Sequence, residues 1–322
     1  MSIDQLTRQD PERDALAEPT ALLVGIRRGV DGDGPGIRST VVLKGCPFRC
    51  VWCPAPETQT FRPEALIHEG LCTVCGECVP LCESHRHVVE NGRHSIRPDV
   101  ICDGCMVCAQ KCEGHAIEKI GSVLSLDEVI AILAEDERQH KDDGWGLTIG
   151  GGEPLYQSEF TLALLAAAKV RGWHVVLQTS GHAPRAVFEA AIGKADLVRF
   201  DVKESDPALH MVWTGLPLDG ILENLSLAAG SGADLWVTLP VAPMTNDRDE
   251  HWHKVAETLA ALPKRPVVFL HPYNADSEEK RRGLVGEAGL LEGVDAPDQE
   301  RLAEIAGILG EGGLEVRLPG GE

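Results

Sequence analysis

The sequence predicts an α/β protein: a parallel sheet faced by helices, with a small cysteine-rich unit inserted near its N-terminal end. Three observations carry this. Strand-like and helix-like segments alternate through most of the 322 residues, and six such βα units imply parallel strands with helices outside. Eight of the eleven cysteines crowd into one stretch as two copies of one spacing. Hydrophobic residues make up 43% of the chain and charged residues 25%, enough apolar surface for a sizeable core.

The elements follow in chain order. Residues 1–20 are polar and charged, with no apolar stretch of signal-peptide type. No later run nears the ~20 apolar residues of a membrane span, so a cytoplasmic protein with no membrane partner is expected. Acidic residues outnumber basic ones 50 to 30, for a net charge of −20. That balance argues against nucleic-acid binding, which needs a cationic surface. The first strand is STVVLKG (39–45), within a first core segment at 21–59. The cysteine-rich insert takes 60–120, and the core resumes over 121–322. There GLTIGGG, HVVLQTS, LVRFDVK, LWVTLPVA and PVVFLHPY read as strands. Helices are expected at 125–140, 158–172, 184–195, 218–230, 249–262 and 298–313. The first of them opens with Ser125 and, three residues on, Glu128, a capping-box pattern. An open doubly wound sheet is the alternative to a barrel. In a barrel, active groups belong at the C-terminal ends of the strands.

In a reducing compartment, cysteines bind metal or catalyse more often than they pair. The two copies are CTVCGECVPLC (Cys72, Cys75, Cys78, Cys82) and CDGCMVCAQKC (Cys102, Cys105, Cys108, Cys112). Each reads C-x2-C-x2-C-x3-C, and the second follows the first by 30 residues, an internal repeat of one metal-binding unit. This resembles the bacterial ferredoxins that carry two 4Fe–4S clusters. The resemblance implies one cluster on Cys72, Cys75, Cys78 and Cys112 and another on Cys102, Cys105, Cys108 and Cys82. Glu83 and Glu113 stand where that family often has proline. Two structural zinc sites are the rival, disfavoured because zinc ribbons separate their two C-x2-C knuckles. The nearby His85, His87, His94 and His115 show no ligand spacing and are read as solvated.

Cys46, Cys50 and Cys53 remain, spaced C-x3-C-x2-C, with no cysteine left to complete a cube. An open metal position marks a catalytic centre. The spacing resembles the radical S-adenosylmethionine (radical SAM) superfamily. The elements D-G-P-G-I-R (Asp33–Arg38), G-C-P-x-R-C-x-W-C (Gly45–Cys53) and P-E (Pro56, Glu57) resemble its glycyl-radical-enzyme activating enzymes, the pyruvate formate-lyase activating enzyme-like family, in the branch with a ferredoxin-type insert. That resemblance implies a partial (β/α)6 TIM-like barrel of radical SAM type with an inserted ferredoxin-like two-cluster domain. It implies three 4Fe–4S clusters, S-adenosylmethionine and a monovalent cation as cofactors. It also implies reductive cleavage of S-adenosylmethionine to a 5′-deoxyadenosyl radical, which abstracts a Cα hydrogen from one glycine of a partner glycyl radical enzyme. An electron donor such as flavodoxin or ferredoxin would feed the insert.

Carried over residue by residue, the resemblance assigns catalysis to Cys46, Cys50, Cys53 and Lys203. Trp52 and Pro54 would lie at the nucleotide, and Gly151, Gly152 and Glu153 (G-G-E) along its methionine part. Asp201 and Lys203 match D-x-K, with the lysine reaching the carboxylate or ribose and the aspartate near the cation. Thr179 and Ser180 follow the third strand, and Asn274 would meet a ribose hydroxyl. Departures from the pattern are Gln178 for an acid, Ser180 for Asn, Thr238 for an arginine on the fifth strand, Asn274 for a histidine, and Pro54 for a small polar residue. His210, Thr214 and Gly215 match a downstream pattern, the histidine in packing or helix ending. Two rival functions stand: a radical SAM enzyme acting on a small molecule or peptide, and an iron–sulfur electron-transfer protein that has lost catalysis.

Overall fold

The computed structural model describes residues 18–140 and 142–319; residues 1–17 of the polar N-terminal segment lie outside them. Strand β1 (Thr20–Val30) turns back through a glycine-rich loop and pairs antiparallel with β2 (Arg38–Leu43). The chain then leaves the sheet. It forms β3 (Glu64–Ile67), the short helix α1 (Cys78–Leu81), a β4 (His87–Glu90)/β5 (Arg93–Ile96) hairpin, helix α2 (Val107–Lys111) and β6 (Ile117–Ile120), which pairs antiparallel with β3. It returns through β7 (Ser122–Ser125), which pairs antiparallel with β1.

Helix α3 (Leu126–Gln139) starts at the expected capping box: Ser125 Oγ accepts from Glu128 N–H, and the Glu128 carboxylate accepts from Ser125 N–H. Then come β8 (Gly146–Gly151), α4 (Ser158–Val170), β9 (Val175–Thr179), α5 (Arg185–Ile192), β10 (Leu197–Asp201), α6 (Pro207–Thr214), α7 (Asp219–Ala229) and β11 (Asp234–Val241). The chain ends in α8 (Asp249–Ala260), β12 (Val267–Pro272), α9 (Asp276–Val285), α10 (Gln299–Glu311) and β13 (Glu315–Arg317).

The nine strands lie in the order β13-β12-β11-β10-β9-β8-β2-β1-β7. The six strands expected from sequence are consecutive and parallel. Sequence reading missed β1 and β7 at one edge and β13 at the other. β2 and β8 are buried along almost their whole length, as parallel strands covered on both faces must be. Phe160, Phe188, Trp252 and Ile305 from the helices close over the sheet and are 2% exposed or less. Each contributes on the order of 2 kcal/mol by burial.

The sheet curls. Arg199 on β10 donates through Nη1 to the Gly32 carbonyl, just beyond β1, at 3.0 Å, although three strands separate β1 from β10. The curl favours a partial barrel over an open sheet. The D-G-P-G-I-R stretch plugs its lower end. Buried Arg38 donates to Thr148 Oγ1 at 2.8 Å and to the carbonyls of Pro35 and His174 at 2.9 and 3.1 Å. Gly34, at φ +146, leaves no room for a Cβ, which would stand 2.7 Å from Val176. From Gly34 to Arg38 this motif is scaffold at the N-terminal end of the strands, while Asp33 at its start lines the central cavity.

In the insert, the 30-residue repeat is also a backbone repeat. Positive φ recurs at Val74 and Gly104 (58° and 80°), at Gly76 and Met106 (81° and 61°), and at His85 and His115 (54° and 50°). Each pair sits at equivalent places around the cysteines, so the two loops wind alike. The insert is anchored to the core by a buried ion pair, Lys44 Nζ to Glu64 Oε1 at 2.6 Å. Arg86 also donates to the Leu284 carbonyl on α9.

Candidate active site

The C-terminal ends of β2, β8, β9 and β10 surround a cavity of about 580 Å³ lined by Cys46, Cys50 and Cys53. Helix α6 and the following elements hold the cysteine loop in place. The last carbonyls of a helix lack intrahelical partners. Here the Thr214 and Trp213 carbonyls of α6 accept from Arg49 N–H (2.8 Å) and Val51 N–H (3.1 Å). Gly215, at φ 79, ends that helix in the left-handed conformation, and His210 Nδ1–H donates to the Leu216 carbonyl, 2.7 Å away. From α9, Lys280 pairs with Glu57 at 2.6 Å. Phe48 is buried within the loop, edge-on to His182, with the Lys203 ammonium 5.5 Å from its ring.

The G-G-E turn also braces this loop. Gly152 N–H donates to the Leu43 carbonyl and Glu153 N–H to that of Gly45, at 2.9 and 3.0 Å. A Cβ on Gly152 would overlap the Gly45 carbonyl, and one on Gly151 would overlap the Leu43 backbone. The glycines are therefore needed for backbone packing against the cysteine loop, besides lining the cavity. The Glu153 side chain turns into the protein. Its carboxylate is 1% exposed and accepts from Thr179 Oγ1 (2.7 Å), Ser180 Oγ (2.5 Å), Ser180 N–H (2.8 Å) and Leu155 N–H (3.2 Å). Those donors fill its lone pairs, so it fixes the loop after β9. Burial pushes its pKa up against the pull of these bonds.

Asp201 and Lys203 stand side by side at the end of β10, with Nζ 3.4 Å from Oδ2. Burial disfavours the ammonium, but Asp201 and the three cysteines beside it hold its pKa above the ordinary lysine value. Asp201 Oδ1 is buried with no partner among the described residues. Trp52 and Pro54 line both this cavity and an adjoining one of about 90 Å³, where Asn274 lies. The Asn274 Oδ1 accepts from Asp276 N–H at 2.9 Å, opening α9. Among the lining residues that sequence reading did not assign to the site are Arg199 and His271. Alternation along β10 from Asp201 points at Arg199. Its Nε donates to Thr238 Oγ1 at 3.0 Å, so a guanidinium from the neighbouring strand stands where an arginine on β11 was expected.

Residues 99–257 match the model of the radical SAM superfamily. The chain is 36% identical over 310 residues to benzylsuccinate synthase activating enzyme from Thauera aromatica, covering 93% of this chain and 92% of that one. The chain belongs to the radical SAM activating enzymes of glycyl radical enzymes. Another relative, choline trimethylamine-lyase activating enzyme from Oleidesulfovibrio alaskensis, is 34% identical over 76% of this chain and 79% of its own. A radical SAM methyltransferase from Sphaerobacter thermophilus shares the fold, with a TM-score of 0.53 over 98% of this chain and 83% of that one at 15% identity.

A radical SAM activating enzyme carries a 4Fe–4S cluster and S-adenosylmethionine, and the cavity suits both. Soft thiols are the donor set for iron–sulfur chemistry. Among the described residues, the one trio of potential ligand atoms within 4.8 Å of each other is Cys78, His87 and His94. Burial, joined at Cys46 by Glu153, pushes the Cys46 and Cys50 thiols up to about 12, while Lys203 pulls them down. The orphaned Asp201 oxygen and the adjacent ammonium offer one acceptor and one cation to a zwitterionic ligand.

The insert cysteines gather in two pockets. Cys72, Cys75, Cys78 and Cys112 line one, Cys82, Cys102 and Cys105 line the other, and Cys108 lines both. Burial and the neighbouring cysteines of each set push Cys78 and Cys108 up to about 11. The expectation for the histidines is half corrected. His85 and His115 are exposed, but His87 and His94 are 4% and 6% exposed and face the cysteines. The signal was present: Asn91-Gly92 between alternating residues is a strong hairpin cue, and the hairpin brings both rings to one face. Among the described residues, no helix is long and apolar enough to cross a membrane.

Proposed function

We propose that this enzyme converts one glycine of a partner glycyl radical enzyme to its radical in the cavity at the mouth of the partial barrel. The observation that carries this is the trio Cys46, Cys50 and Cys53 lining that cavity, in a chain akin to such activators over nearly its whole length. Bound there, a three-cysteine 4Fe–4S cluster and S-adenosylmethionine supply the 5′-deoxyadenosyl radical. The residues of the chain bind and orient. Lys203 neutralises the carboxylate, and Asp201 accepts from the ammonium or helps hold a monovalent cation. Gly151 and Gly152 lie along the methionine part. Thr179 and Ser180, braced by Glu153, border it. Trp52 and Pro54 flank the adenine, and Asn274 stands near the ribose.

Residues 60–120 form a ferredoxin-like unit with two more clusters in this reading. The two cysteine-lined pockets and the repeated backbone support it. The unit takes electrons from a flavodoxin or ferredoxin and passes them inward, since such clusters reach strongly negative potentials. The enzyme works in an anaerobic cytoplasm. The test incubates the reduced enzyme and S-adenosylmethionine with a candidate glycyl radical enzyme. A glycine-centred doublet in the partner's electron paramagnetic resonance (EPR) spectrum is expected. Stoichiometric 5′-deoxyadenosine release with no partner radical, across the glycyl radical enzymes of the same cell, would overturn the partner assignment.

A further inference from the structure

We propose that His94 donates an N–H hydrogen bond to a ligand sulfur, Cys72 or Cys78, and so raises the reduction potential of the cluster held by Cys72, Cys75, Cys78 and Cys112, with His87 holding its ring in place. This rests on the reading of the insert as a two-cluster unit. His94 is buried between two sulfurs: Nδ1 lies 3.6 Å from Cys72 Sγ, and Nε2 lies 3.6 Å from Cys78 Sγ. Its Nε2 is also 3.0 Å from His87 Nδ1, and the two rings stack at 23° with centroids 5.2 Å apart.

The donor follows from the geometry. A metal-bound thiolate only accepts hydrogen bonds, and an imidazole carries at least one N–H. With the proton on Nδ1, it points at the Cys72 sulfur, and Nε2 accepts from His87 Nδ1–H. With the proton on Nε2, it points toward the Cys78 sulfur and His87 Nδ1. In both arrangements a ligand sulfur of the same cluster lies opposite an N–H.

A one-electron reduction adds negative charge to the cluster. An N–H aimed at a ligand sulfur in a buried pocket stabilises that charge, and hydrogen bonds to sulfur are an established lever on cluster potentials. His87 itself lines the second cysteine pocket. The imidazole pair therefore runs from one cluster site to the other, and its effect falls on one end.

The test is a potentiometric titration of the reconstituted full-length enzyme under anaerobic conditions, read by EPR spectroscopy, with iron and zinc quantified. His94→Phe is expected to lower the potential of one cluster, cutting its reduced-to-oxidised ratio at fixed potential by about tenfold, which is about 59 mV for one electron. The other clusters should hold their potentials. His94→Gln, which keeps an N–H, should recover most of the shift, and His87→Phe should give a smaller one. Wild-type potentials in His94→Phe at wild-type iron content would overturn the inference and leave the two-cluster reading intact. About four irons per chain in the wild type would overturn that reading, and the inference with it. One zinc per chain, lost in His94→Phe, would overturn it in favour of a single ion on Cys78, His87 and His94.

Discussion

Glu153→Gln separates two ways in which the G-G-E turn could serve the site. In the structure, the carboxylate accepts four hydrogen bonds, from Thr179, Ser180 twice, and Leu155. Glutamine keeps one acceptor oxygen and turns an NH2 donor toward the donors of the other. About two of the four bonds are lost, and hydrogen bonds to a charged group contribute about 1.5–3 kcal/mol each. Partial relaxation in the buried site brings the expected cost to roughly 3 kcal/mol. An unfolding entropy of about 2.1 cal/mol/K per residue over 322 residues turns that into a fall of roughly 4 °C in Tm. The assay is anaerobic thermal unfolding by circular dichroism without S-adenosylmethionine, beside binding of S-adenosylmethionine by calorimetry. The account expects Tm to fall and affinity to weaken by about tenfold or less, through the loosened Thr179–Ser180 loop. An unchanged Tm with a hundredfold loss of affinity would refute it, because the carboxylate would then be acting on the ligand itself.

Three further perturbations follow from the same geometry. Gly152→Ala pushes a methyl group into the Gly45 carbonyl, so the cysteine loop must shift; iron content should fall by about four per chain, and an unchanged content would contradict the bracing role. Lys44→Met strips the partner from buried Glu64, which costs about 3–5 kcal/mol; Tm should fall and proteolysis near residue 64 should quicken, and Lys44→Met/Glu64→Leu should restore most of the loss. Glu204 is fully buried and bonded to His251 and Arg248. Burial alone would raise its pKa, but the His251 bond and the Ser205 and Asp206 N–H groups bring it from 4.5 down to about 2. A depressed carboxyl stabilises the fold above its unfolded pKa and loses that contribution as pH falls. Acid titration from pH 5 to 2 should cost on the order of 3 kcal/mol at roughly 1.4 kcal/mol per pH unit, and Glu204→Gln should flatten that limb of the stability curve.

The six parallel strands were legible because each is a short apolar run ended by glycine, proline or a polar turn, and each is followed by a helix with an apolar stripe. β1 was not: TALLVGIRRGV is half-buried and mixes arginine and glycine into the run, since its middle borders the open cavity. The four-residue strands of the insert were beyond periodicity for a different reason. So few residues carry little pattern, and cysteine spacing sets the local chain path. At the site, the gathering of Cys46, Cys50, Cys53, Asp201 and Lys203 around one cavity was readable from spacing and position. The hydrogen bonds of Glu153 were not legible, because a motif names a residue without saying which way its carboxylate turns, and that depends on Thr179 and Ser180 from another strand. Arg199 was missed because it substitutes from a neighbouring strand, a replacement that appears only once the register of β10 against β11 is known. His94 needed a hairpin register to be seen at all.

The central claim is that one cluster, on Cys46, Cys50 and Cys53, offers its open position to S-adenosylmethionine. Its most direct test is the EPR spectrum of the reduced, anaerobically reconstituted enzyme, recorded with and without S-adenosylmethionine. The account predicts that the cosubstrate alters the signal of one cluster and leaves the others as they were, and that the altered signal is missing in Cys46→Ser. Superimposable spectra with and without the cosubstrate, at full iron content, would contradict it.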